Sequence, residues 1–113
     1  MTPDLNDFLP LPATAFHILV SLADQSRHGY AIMQEVDERT TGEVRLNPGT
    51  LYTTIKRLLA SNLIEEIEVP DSSDSTDERR RYYKITALGK RVARAELARL
   101  QGMVRQAASA LKG

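Results

Sequence analysis

LNPGTLYTTIKRLLASNLIE, residues 46 to 65, decides the fold. Asn47 is a side-chain acceptor directly before a proline, and a proline is harmless in the first turn of a helix because its missing N–H would be unpaired there. Leu51, Ile55, Leu58 and Leu59 then recur at i, i+4, i+7 and i+8, an apolar stripe that predicts a helix over about residues 48–61. The other side carries Thr50, Tyr52, Thr53, Thr54, Lys56 and Arg57, hydroxyls and cations of the kind that pair with base edges and phosphates. Pro48, Gly49 and Thr50 set the positive end of this helix, with free N–H groups, where a phosphate could be held.

Upstream, two shorter apolar periodicities predict two more helices. Phe16, Ile18, Leu19, Leu22 and Ala23 follow Pro12 at helical spacing, over about 12–24. After the polar break Asp24 to Arg27, a second run, Tyr30, Ile32, Met33 and Val36, extends over about 28–40 until Thr40, Thr41 and Gly42 stop it. Glu43 to Leu46 leave room only for a short extended piece.

Downstream, the period falls towards two. Leu63, Ile67 and Val69 lie on one side and Glu66 and Glu68 on the other, as in a half-buried strand. Pro70 to Glu78 has turn composition and predicts a long hairpin tip. Arg79 to Ile85 supplies the returning strand, with Tyr83 and Ile85 facing the core and Tyr82 with Lys84 on the other face. Thr86 then caps a last helix bearing Leu88, Val92, Leu97, Leu100, Val104, Ala107 and Leu111. From Leu97 the steps are 3, 4, 3 and 4, the seam of a helix that packs on another helix. About 25 residues at 1.5 Å each make a helix of about 37 Å, longer than a domain of this size needs for its own core. The expectation is a homodimer through Leu97, Leu100, Val104, Ala107 and Leu111; the alternative is that the helix folds back on its own domain.

The 113 residues suffice for one compact unit and not for two cores. We divide that unit into residues 1–85, a DNA-binding part, and 86–113, a dimerisation helix. With no Cys, a disulfide framework, a thiolate metal site and a cysteine nucleophile are excluded. With only His17 and His28, no metal site is expected; His28 reads as a cap or a phosphate contact. No phosphate-binding glycine loop, HExxH or nucleophile-base pair is present, so neither an enzyme nor a cofactor is expected. The apolar run from Leu9 to Ala23 is too interrupted to cross a bilayer and lacks the basic start of a signal peptide, so a cytoplasmic location is the default.

The 15 bases and 15 acids cancel, but they are segregated. Residues 1–44 hold two Arg against seven acids, while residues 79–113 hold ten bases against the single Glu96. Such segregation fits one face built to meet a polyanion.

Three helices followed by a two-stranded hairpin is the layout of a winged helix-turn-helix, a mostly α (α+β) fold in which the third helix enters the major groove and the hairpin, the wing, lies beside the backbone or minor groove. The chain also resembles the PadR-like transcriptional regulators, through HGYAIMQEV (28–36), LNPGTLYTTIKRLLASNLIE (46–65) and RRRYYKITALGKR (79–91). The resemblance implies a winged helix, a homodimer through a single C-terminal helix, and repression of a nearby promoter released by a small molecule or a metal. By position it puts DNA contact on Thr50, Tyr52, Thr53, Lys56 and Arg57 of the third helix, on Arg79, Arg80 and Arg81 of the wing, and on Tyr30 as a phosphate contact. Asn47, at the head of the third helix, and Tyr82, on the wing face away from the core, complete the expected DNA-facing set.

Two other readings compete. A protein-interaction module on the same scaffold would carry an apolar or acidic third helix and a neutral wing, whereas both are polar to basic here. A dimer that chiefly senses small molecules would want aromatic stacking from the last helix, which has no aromatic residue; an aliphatic or cationic effector at the dimer interface, near the first and last helices, remains open.

Overall fold

The structure is a computed structural model that describes residues 3–69 and 80–112. A short 3-10 turn, Leu5–Phe8, precedes helix α1 (Ala13–Ser21). Strand β1 (Arg27–His28) and helices α2 (Gly29–Arg39) and α3 (Pro48–Ala60) follow. Strands β2 (Ile64–Val69) and β3 (Arg80–Ile85) and the long helix α4 (Ala87–Ala110) complete the order. The winged-helix layout is therefore observed, with every predicted helix present.

The caps explain the helix boundaries. Asn47 Oδ1 accepts the Thr50 N–H at 2.8 Å, which starts α3 and leaves Thr50 without the free N–H expected of it. His28 Nδ1 accepts the Ala31 N–H at 3.2 Å and starts α2. Thr86 Oγ1 accepts the Gly89 N–H at 2.9 Å and starts α4. Pro12 is the N-cap of α1 rather than a residue of its first turn, and α1 ends two to three residues before the expected 24. After α3, Asn62 adopts a left-handed φ of 61°, turning the chain so that Leu63 N–H donates to Leu58 O at 3.0 Å.

The sheet has three strands in the order β1-β3-β2, all antiparallel. Sequence periodicity gave no sign of β1, because a two-residue strand has no period. It is held by its partner, with Arg27 opposite Tyr83 and His28 opposite Tyr82. The β2–β3 register, from Ile64 opposite Ile85 to Val69 opposite Arg80, corrects the expected core face of β2. The buried face is that of Ile64, Tyr83 and Ile85, and Ile67, expected to face inward, is half-buried on the opposite face across from Tyr82. Tyr83 and Ile85 are buried as expected. The tip, Pro70 to Arg79, lies outside the described residues.

The core gathers Ile18, Leu19 and Leu22 of α1, Ile32 and Val36 of α2, and Leu51, Ile55 and Leu58 of α3, with Leu63, Ile64, Ile85 and Val92 closing it. The start of α4 is pressed onto this core at Gly89, where a Cβ would collide with the Leu63 carbonyl oxygen and lie 2.8 Å from Ile85 Cγ1. Thr86 Oγ1 donates to Asn62 O at 2.7 Å in the same corner. The helix thus leaves the domain from a fixed point behind α3.

Candidate nucleic-acid interface

Helix α3 splits into two faces along its whole length. Leu51, Ile55 and Leu58 are buried, whereas Asn47, Thr50, Tyr52, Thr53, Lys56 and Arg57 are exposed. Thr54 Oγ1 donates back to Thr50 O at 2.8 Å, so this hydroxyl proton is committed to the helix itself. No exposed acid interrupts α3, and Lys56 and Arg57 make no ion pair with any described residue. The surface can therefore offer hydroxyl donors and acceptors to base edges and two unneutralised cations to phosphates.

The beginning of α2 and the wing meet beside this face. Tyr30 is 61% exposed one residue into α2. His28 and Tyr82 face each other across β1–β3, their rings edge to face with centroids 5.4 Å apart and planes at 81°. Tyr52 is 47% exposed, yet its hydroxyl end lies against Gly29: a Cβ there would overlap the phenol oxygen. Behind it, burial first, then the Glu66 carboxylate and the Tyr52 hydroxyl, push the Tyr83 phenol above its ordinary value, so it stays protonated. Arg81 is exposed on β3. Arg79 and the side chain of Arg80 lie outside the described residues, so the wing half of the expected set rests on Arg81 and Tyr82.

Helix α4 behaves as two halves. Its first half packs on the core through Leu88, Val92 and Ala93. Beyond it, Leu97 is 46% exposed, Val104 65% and Leu111 83%. Leu100 is half-buried and Ala107 exposed. Met103, which the sequence reading left out, adds a further exposed apolar side chain at 49%. The stripe does not fold back on its own domain.

Two polar clusters bind the elements that carry these faces. Glu96, the single acid of the basic run, is 2% exposed. It accepts from Arg99 Nε at 2.8 Å and Nη2 at 2.6 Å, and from the Leu11 N–H at 3.3 Å. The Arg99 hydrogen bonds hold its carboxyl below the usual glutamate value, against the opposing effect of burial. The segment before α1 is thereby tied to α4. Arg39, at the end of α2, donates to the His17 carbonyl at 3.1 Å and pairs with Glu35. Burial and then Arg39 push the His17 imidazole below its ordinary value. The signal for the first cluster was present in the sequence, as an acid three residues from an arginine amid nine other bases, but charge counting gave no reason to bury it.

No group of three or more His, Cys, Asp or Glu side chains among the described residues is arranged to hold a metal. No described helix is long and apolar enough to cross a membrane.

Known proteins share this fold. The transcriptional regulator Rv3488 of Mycobacterium tuberculosis is 33% identical over 95 residues, covering 83% of this chain and 81% of that one. The chain spans 64% and 25% of the length of two other curated relatives it matches. A PadR family transcription regulator of Clostridium difficile is 26% identical and superposes with a TM-score of 0.73 over 90% of this chain and 100% of its own. PadR of Bacillus subtilis, solved in complex with operator DNA, shares the fold at 20% identity, with a TM-score of 0.68 over 78% of this chain and 48% of its own. The sequence profile of the transcriptional regulator PadR-like family matches residues 18–95, from the buried Ile18 of α1 to the middle of α4, and the chain belongs to that family.

Proposed function

We propose that the chain is a homodimeric repressor in which two protomers, joined along α4, set two α3 helices into successive major grooves of a palindromic operator. The observation that carries this reading is the outward face of α3, polar and cationic with no acid, above a fully apolar inner face. Thr50, Thr53, Lys56 and Arg57 face the bases and flanking phosphates, and Tyr52 stands beside them where α3 meets the start of α2. Asn47 holds the head of the helix, Tyr30 meets the backbone beside it, and Arg79, Arg80, Arg81 and Tyr82 bring the wing onto an adjacent phosphate run. Residues 1–85 form the DNA-binding part. Residues 86–113 form the dimerisation helix, with Leu97, Leu100, Val104, Ala107 and Leu111 on its seam.

The regulated DNA is that of its own or a neighbouring operon, and a small-molecule effector releases it. A groove of about 250 Å³ between α1 and α4, walled by Phe16, Leu19, Val20 and Leu97 with Lys90 and Arg94 at its rim, supports an effector position near the dimer seam. The protein works in the cytoplasm, where that DNA is.

The test is a mobility shift of purified protein on the DNA upstream of its own coding region, at two salt concentrations, with an unrelated duplex as competitor. A specific, salt-sensitive shift is expected. Equal affinity for the competitor would move the function to protein partners.

A further inference from the structure

The recognition helix and the wing come from separate stretches of chain yet must meet one duplex, so the angle between them has to be held. Tyr52, in the first turns of α3, stands at their junction. Its ring end occupies the space a side chain at Gly29 would fill: a Cβ there would overlap the hydroxyl, lie 2.9 Å from Cζ and 3.3 Å from Cε1. Gly29 has no positive φ, so glycine is required there for room and not for backbone conformation. The backbone at this point belongs to the wing as much as to α2. His28, the preceding residue, pairs with Tyr82 and packs on its ring, and Arg27 pairs with Tyr83.

We propose that Gly29 is a notch that seats Tyr52 and so fixes the angle between α3 and the wing. Tyr52 is on this account a positioning residue for operator readout, acting through the β1–α2 junction and not through a hydroxyl bond to a base. The proposal rests on the DNA-binding reading above. Because Tyr52 is half exposed, its ring can swing outward when the notch is filled. Filling the notch therefore leaves the fold intact while releasing the angle.

The experiment compares operator binding by the full chain and its Gly29→Ala, Tyr52→Phe, Tyr52→Leu and Gly29→Ala/Tyr52→Leu variants, each checked for folding by circular dichroism. Gly29→Ala is expected to lose about tenfold in affinity, the usual size of coupling between residues in contact. It should also lower the slope of log K against log salt, because wing phosphates are lost, which mere destabilisation would not do. Tyr52→Phe keeps the ring in the notch and stays within about twofold of the parent, since no hydrogen bond to a base is removed. Tyr52→Leu removes the atoms a Cβ would meet, so adding Gly29→Ala to it costs less than about twofold more. Parental affinity in Gly29→Ala, or the same loss with and without Tyr52, overturns the proposal. So does a Tyr52→Phe loss equal to that of Tyr52→Leu, which decides the matter even if the glycine variant does not fold. Failure of the parent chain to prefer operator over competitor sinks the DNA-binding reading instead.

Discussion

Thr53 and Lys56 stand side by side on the open face of α3 and separate two kinds of contact. A threonine hydroxyl bonded to a base edge carries sequence information, so Thr53→Ala should cost about 1–3 kcal/mol on the preferred operator and flatten preference at one base pair of each half-site. On the proposed interface Lys56 meets a phosphate as a point charge; Lys56→Ala should then weaken all sequences alike and lower the salt slope by about one per protomer. Titrations against an operator and its single-base variants check both. Asn47 was legible as a cap from its place before Pro48, and its Oδ1 is spent on the Thr50 N–H. Asn47→Ala should therefore cost about 1 kcal/mol of stability in urea unfolding before any DNA is present. His17 was not legible, because nothing in its apolar helix pointed to Arg39 across the domain. Its imidazole is held below the ordinary value near 6.5, so the unfolded chain binds more protons in the window beneath that value. Stability is then full above about pH 6.5 and falls as pH drops towards the depressed value. His17→Gln should remove that slope from unfolding curves run across the window.

Among the elements, the helices were readable because each has a stripe, a cap and a stop within its own sequence: Leu51 to Leu59 for α3, with Asn47 before it, is the plainest case. The sheet was half readable. Alternation located β2 and β3, but the choice of core face went to Ile67 and Val69, since they alternate with glutamates. The register gives that face to Ile64 instead, because Ile85 and Tyr83 arrive opposite Ile64 and Glu66. β1 exists only as a pairing with β3, and no local pattern encodes it. Helix α4 was readable as a long helix with an apolar stripe, and its second half carries Met103, Val104 and Leu111 exposed at 49%, 65% and 83%. Burying such a stripe against a second copy removes apolar area at about 25 cal/mol per Å², whereas a glutamate in its middle must be desolvated without a partner. Replacing both Leu100 and Val104 by Glu should convert the proposed dimer to a monomer by light scattering while the circular dichroism of the winged-helix part persists. A variant that still sedimented as a dimer would place the interface elsewhere.

For the whole molecule, zero net charge conceals a distribution that makes salt the informative variable. On the proposed interface each chain would offer Lys56, Arg57 and Arg79 to Arg81 to the duplex, so the proposed dimer would bring ten cations at most. Proteins that neutralise about six to ten phosphates lose roughly 10³ to 10⁵ in affinity between 50 and 200 mM salt. The parent dimer should fall in that range. The Leu100→Glu/Val104→Glu monomer should show about half the slope and only half-site affinity, because each protomer keeps its own contacts and loses only the linkage to its twin. Two-fold symmetry adds a geometric condition: half-sites must lie about one helical turn apart, roughly 34–36 Å, or a multiple of it. Inserting half a turn of DNA between them turns the second half-site to the opposite side of the duplex, out of reach of the second α3. That operator should bind the parent no better than the monomeric variant does. Undiminished affinity for it would mean that the two α3 helices are not held at a fixed separation by α4, and the dimer would have to be rebuilt around another contact.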